Sequence, residues 1–102
     1  MGYNSTVREI RKTKEFAEWI DGLGDVRARA RILVRIERLA SCNPGDVRPV
    51  GEGVSELRID QGPGYRVYYR RIETALVILL AGGDKRTQKE DIKLALHLSR
   101  NL

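Results

Sequence analysis

A chain of 102 residues has the length of one domain, expected to span 1–102, and folding at this size buries roughly 60–65% of the extended-chain surface, enough for one modest core without disulfides. With 41% hydrophobic and 32% charged residues the composition excludes disorder, and the longest apolar run, Ala75 to Ala81, is too short for a membrane-spanning helix. A net charge of +5 points to a polyanionic partner (RNA, DNA or an anionic membrane surface), and 14 of the 19 basic residues are arginine, which grips phosphate bidentately, although a GC-rich genome gives the same bias.

Val7 to Arg11 alternates apolar and charged residues and predicts a short strand. Thr13 is placed to cap a helix carrying Phe16, Trp19, Ile20 and Leu23 at helical spacing, ended by Gly22 and Gly24. Asp25 caps a longer helix to about Ala40, with an expected buried stripe of Val26, Ala30, Leu33, Ile36 or Leu39, and Ala40. The two helices form an antiparallel hairpin. Asn43-Pro44-Gly45-Asp46 is a turn, and the chain to Gly53 is expected to be irregular, with at most a short strand near Val47 to Val50.

Val54 to Asp60 alternates, with Leu57 and Ile59 on one face and Glu56, Arg58 and Asp60 on the other. After Gly62-Pro63-Gly64, Tyr65, Val67 and Tyr69 face one way and Arg66, Tyr68 and Arg70 the other. Ala75 to Ala81 fits a central strand buried on both faces, broken by Gly82-Gly83. Thr87-Gln88-Lys89-Glu90 matches a capping box and opens a helix with Ile92, Ala95, Leu96 and Ser99 on one face. The order β-α-α-β-β-β-α predicts an α+β domain, a helical hairpin packed on an antiparallel sheet.

The pleat locates the chemistry. If Leu57, Ile59, Tyr65, Val67 and Tyr69 pack under the helices, then Arg58, Arg66, Tyr68 and Arg70 share the opposite face, with Lys85 and Arg86 at its rim. Cations converging on one place suit a phosphodiester, and Tyr68 is a candidate to stack on an unpaired base. Charges of this kind also decorate the solvent face of an ordinary sheet, with Glu56, Asp60 and Glu73 as cross-strand partners. Arg27, Arg31, Arg35 and Arg38 line one face of the second helix, which is either a solvated surface or a phosphate-binding one.

Other chemistry finds little support. One cysteine, Cys42, forms no internal disulfide and implies a reducing compartment; together with the single histidine, His97, it cannot make a four-ligand zinc site. No cofactor or metal is expected. The N-terminal residues lack a long apolar signal segment, which favours the cytoplasm.

The stretch Glu56-Leu57-Arg58-Ile59-Asp60, the segment Gly64-Tyr65-Arg66-Val67-Tyr68-Tyr69 and the ending Leu80-Ala81-Gly82-Gly83-Asp84-Lys85-Arg86-Thr87-Gln88 resemble the RelE/ParE toxin superfamily. The likeness is greatest to its HigB-like branch of addiction-module killer proteins and runs from about Val7 to Leu98. It implies the RelE-like fold and the toxin of a type II toxin–antitoxin system, a metal-independent endoribonuclease that cuts mRNA on the ribosome and inhibits translation. The partners implied are the ribosome, mRNA and a cognate antitoxin, a small helix-turn-helix protein, with DNA reached only through the antitoxin complex and no membrane. The alternatives are a ParE-like poison of DNA gyrase and a degenerate, non-catalytic binding protein.

The resemblance also implies site residues. Arg66 stands in the G-Y-R element that supplies a phosphate-contacting arginine. Arg58 occupies a strand position where RelE-type enzymes place lysine, and Lys85 and Arg86 match the basic pair after the last strand. These four are the implied catalytic residues; Tyr68, Arg70, Arg27, Arg31, Arg35 and Arg38 are the candidate RNA-binding ones. A tyrosine usual at the start of the last helix is missing from Glu90-Asp91-Ile92, leaving Tyr68 as a stand-in and Asp60 or Asp84 as candidate bases.

Overall fold

The computed structural model describes residues 9–41, 43–73 and 75–102. Val7 and Arg8 of the first predicted strand, and Cys42, lie outside the described residues. The strand β1 (Glu9–Lys12) leads into α1 (Lys14–Asp21), whose N-cap is Thr13: its hydroxyl accepts from the Phe16 amide at 3.0 Å. Asp25 caps α2 (Val26–Ala40) by accepting from the Ala28 amide at 3.0 Å. The remaining elements are β2 (Val47–Gly51), β3 (Val54–Ile59), β4 (Tyr65–Ile72), β5 (Leu76–Gly83), a 3-10 turn over Lys85–Thr87, and α3 (Gln88–Arg100).

The five strands form one sheet in the order β1-β5-β4-β3-β2. Strands β2 to β5 are the expected antiparallel meander, lengthened by β2, whose Pro- and Gly-containing sequence carries only a weak strand signal. The edge strand β1 pairs parallel with β5, so the sheet is mixed rather than antiparallel throughout. The α1–α2 crossover between β1 and the meander permits that parallel pairing, since no short turn has to join β1 to β5.

One face of the sheet receives α1 and α2, and Phe16, Ile20, Ile32, Ile36 and Leu39 pack there on Leu57, Ile59, Val67, Val77 and Leu79. The α2 stripe differs from the expected one. Ala28, Ile32, Ile36 and Leu39 are buried, while Val26 and Leu33 are 68% and 47% exposed. This helix carries aliphatic residues on two faces, so periodicity alone does not choose between them, and the bulkier Ile32, Ile36 and Leu39 are the ones taken into the core.

The other face of the sheet is covered by α3 over a second apolar cluster of Val54, Tyr68, Ile78, Leu80, Ala81 and Ala95, flanked by Ile92 and Leu96. A bulge in β5 opposite Tyr68 and Tyr69 inserts Leu80, whose carbonyl accepts from the Thr13 hydroxyl at 2.6 Å. Gly82 and Gly83 lie inside β5 instead of ending it. A side chain at Gly82 would meet the Trp19 ring, and one at Gly83 would meet Asp91 and Thr87 on the opposite side. The helix cap also sits one turn earlier than expected: Asp84 and Thr87 form the capping box of the 3-10 turn, and Thr87 makes no side-chain cap to α3.

Candidate functional site

Across the β3–β4 ladder Arg58 stands directly opposite Arg66, and Glu56 directly opposite Tyr68. The next strand sets Gly83 beside Arg66, and Asp91 and Thr87 close over that glycine. Lys85, two residues beyond, completes the arrangement. Arg58, Arg66 and Lys85 line one open pocket of about 320 Å³ with Asp46, Asp60 and Gly64. Three cations therefore face two carboxylates in a recess beyond the part of the face that α3 covers. Two like charges set opposite each other on neighbouring strands are mutually repulsive, and an anion between them relieves that repulsion.

Each arginine is oriented differently. Arg66 is almost wholly buried; its Nη1 donates to the Gly64 carbonyl at 2.9 Å, and its Nε lies 3.6 Å from Glu56 Oε2. Glu56 is completely buried, and its Oε2 also accepts from the Tyr68 hydroxyl at 3.1 Å and from Gln88 Nε2 at 2.7 Å. Burial of charge on this scale requires paired partners, and α3 supplies one of them through Gln88. Arg58 is half-exposed, with Nε 3.7 Å from Asp46 Oδ2.

Several expected contributors are used elsewhere. Tyr68 is fully buried under α3, so its ring offers no face to an unpaired base; burial and the neighbouring Glu56 carboxylate push its hydroxyl far above the usual phenol range. Arg70 Nη1 donates to the Ser99 carbonyl at 3.3 Å and hydroxyl at 3.2 Å, which fastens the end of α3 to the sheet. Arg86 lies outside the pocket lining and holds Asp84, Nη2 to Oδ2 at 2.9 Å, so that the Asp84 carboxyl stays below its usual range. That same contact takes Asp84 away from the pocket, where Asp60 remains.

On α2, Arg35 is not a surface residue of the expected row. Its Nη1 donates to the Arg58 carbonyl at 2.9 Å and its Nη2 to the Pro44 carbonyl at 3.3 Å, tying α2 to β3 and to the turn before β2. Burial and the neighbouring Arg38 lower its proton affinity. Arg27, Arg31 and Arg38 remain exposed on α2, with Arg31 Nε donating to Gln61 at 3.0 Å.

The sequence assigned Glu56 to ordinary cross-strand pairing and gave Gln88 no role. The available signal was Glu56 between the apolar Val54 and Leu57, yet alternation marks its face without showing that α3 closes over it. Among the described residues, no three His, Cys, Asp or Glu side chains are grouped so as to hold a metal ion. No helix among them is long and apolar enough to cross a membrane.

Residues 18–99 match the family model described as Phage derived protein Gp49-like (DUF891). The chain belongs to the Gp49-like family. A Gp49-like chain of the RelE/HigB type is what the G-Y-R segment and the basic pair after β5 led the sequence to resemble. An uncharacterized protein of Haemophilus influenzae is 49% identical over 94 residues, covering 92% of this chain and 95% of its own. A solved structure of the E. coli toxin RelE, an arginine-to-alanine double mutant in the free state, covers 85% of this chain and 96% of that one with a TM-score of 0.61. At 17% identity that likeness establishes the RelE-like fold.

Proposed function

We propose that this Gp49-like chain is the toxin of a type II toxin–antitoxin pair and acts as a metal-independent endoribonuclease on ribosome-bound mRNA in the cytoplasm. The observation that carries the reading is the cross-strand pair Arg58 and Arg66 opening, with Lys85, into one pocket. A ribose 2′-oxygen attacks the adjacent phosphorus, the bond from phosphorus to the 5′-oxygen breaks, and a 2′,3′-cyclic phosphate and a 5′-hydroxyl result. Asp60 takes the proton from the 2′-hydroxyl, Arg58 and Arg66 hold the charge that develops on the phosphoryl oxygens, and Lys85 gives a proton to the departing 5′-oxygen. Arg86, exposed beside the pocket, contacts flanking phosphates. The cognate antitoxin, a small helix-turn-helix protein, holds the activity in check and brings any contact with DNA.

We favour this reading over a gyrase poison because Arg58, Arg66 and Lys85 gather in one pocket, an arrangement that suits a phosphodiester. Induced expression followed by mapping of RNA ends tests the reading. Cuts inside translated regions with 5′-hydroxyl ends, insensitive to EDTA beyond its effect on ribosome integrity, are expected. Intact mRNA together with double-strand DNA breaks would refute it.

A further inference from the structure

α2 turns a second apolar stripe outward. Val26, Ala30, Leu33 and Val34 recur at spacings of four, three and one, and all four are exposed, Val34 to 55%. They lie away from the stripe of Ala28, Ile32, Ile36 and Leu39 that packs on the sheet. An aliphatic stripe with no partner among the described residues marks an interaction surface rather than a solvated helix face. Part of it is recessed: Ala30 and Val34, with Arg27, Arg31 and Gln61, line a shallow groove of about 520 Å³.

The surrounding charge selects the occupant. α2 carries five arginines against one carboxylate, the exposed Glu37, and after Arg35 is spent on the Arg58 and Pro44 carbonyls, Arg27, Arg31 and Arg38 remain exposed on the helix, Arg31 bonded to Gln61. A second copy of this chain docking the same stripe would set arginine rows against each other. RNA would use the arginines but gains nothing from valine and leucine, which have no ring to stack on a base. We propose that the outer face of α2 is the docking seam for an acidic helical segment of a partner protein, one with its own apolar stripe flanked by Asp and Glu. The inference rests on the toxin–antitoxin reading in taking that partner to be the antitoxin, and the groove shares no lining residue with the Arg58, Arg66 and Lys85 pocket, although Gln61 of the one follows Asp60 of the other.

The test uses the purified full chain and the protein encoded by the neighbouring reading frame. The Leu33→Ser/Val34→Ser pair and, independently, Ala30→Glu should each weaken that complex by about 30-fold or more while circular dichroism and mRNA cutting stay as in the wild type. Toxicity of these variants should then escape suppression by the neighbouring protein. Unchanged affinity in both variants, or no binding by the wild type, would overturn the seam while leaving toxicity, and with it the toxin reading, standing. Absence of toxicity in the wild type with variant-sensitive binding would support the seam and fail the toxin reading. Loss of ribosome co-sedimentation, of binding to phosphatidylserine vesicles or of self-association in the variants, with partner binding intact, would overturn the proposal in favour of RNA, a membrane or a second copy respectively.

Discussion

Under α1 and α2 the sheet offers an aliphatic and aromatic surface from Leu57 to Leu79, whereas under α3 the aliphatic patch adjoins Glu56, Arg66 and the Tyr68 hydroxyl. The first face can lose a methyl group and relax around the gap. The second cannot relax in that way, because each polar member answers another, and removing one leaves its partners desolvated and unpaired. Rigidity of this kind suits a place that must aim a guanidinium: Arg66 is held by Glu56 and by the Gly64 carbonyl at the edge of the pocket it lines.

The largest expected effect breaks the polar face. Glu56→Ala strips Tyr68 and Gln88 of a common acceptor and Arg66 of its ion-pair partner, and should cost about 3–5 kcal/mol, seen as a lower urea midpoint. A loss below about 1 kcal/mol would show that the buried carboxylate is not what holds these groups together. It follows that Arg66→Ala is not a clean probe of catalysis, since it leaves Glu56 buried with one fewer partner.

The apolar face is sharpened by two neighbours on α2. Ile32→Ala should cost about 2–5 kcal/mol, and Leu33→Ala about 1 kcal/mol, because Ile32 is fully buried and Leu33 is about half exposed at the edge of the core. Equal losses in chemical denaturation would contradict the observed choice of stripe.

The smallest effect lies at the rim. With its folded pKa held below the ordinary carboxylate value by Arg86, Asp84 contributes stability above that ordinary value and loses it as pH falls through the depressed one. Asp84→Asn should therefore melt slightly below the wild type near pH 7, by about 0.5 kcal/mol or less, and match it at the acid end. A gap that widens toward low pH would give the opposite sign and contradict the pairing.

The strands and helices were legible because each has its own signal: Thr13 and Asp25 as caps, alternation in β3 and β4, the apolar run of β5. The parity of β3 and β4 also placed Arg58, Arg66, Tyr68 and Arg70 on one face. What alternation does not carry is whether a face is open. α3 lies over Tyr68 and captures Arg70, and both facts depend on where a helix far along the chain comes to rest. Arg35 was likewise counted by spacing among surface arginines, although the Arg58 and Pro44 carbonyls that claim it belong to distant segments. Gly82 and Gly83 read as a strand ending because glycine marks breaks and close approaches alike, and only Trp19 and Asp91 distinguish the two.

The central claim is that Arg58 and Lys85 act on a phosphodiester in the pocket they share with Arg66, and both are exposed enough to be altered without disturbing the core. The most direct measurement is single-turnover cleavage of mRNA on purified ribosomes by the wild type, Arg58→Ala and Lys85→Ala, with melting curves taken on the same samples. The account predicts that each variant cuts about 100-fold or more slowly at an essentially unchanged melting temperature. Full cleavage rates in both variants would contradict it and move the chemistry away from this pocket.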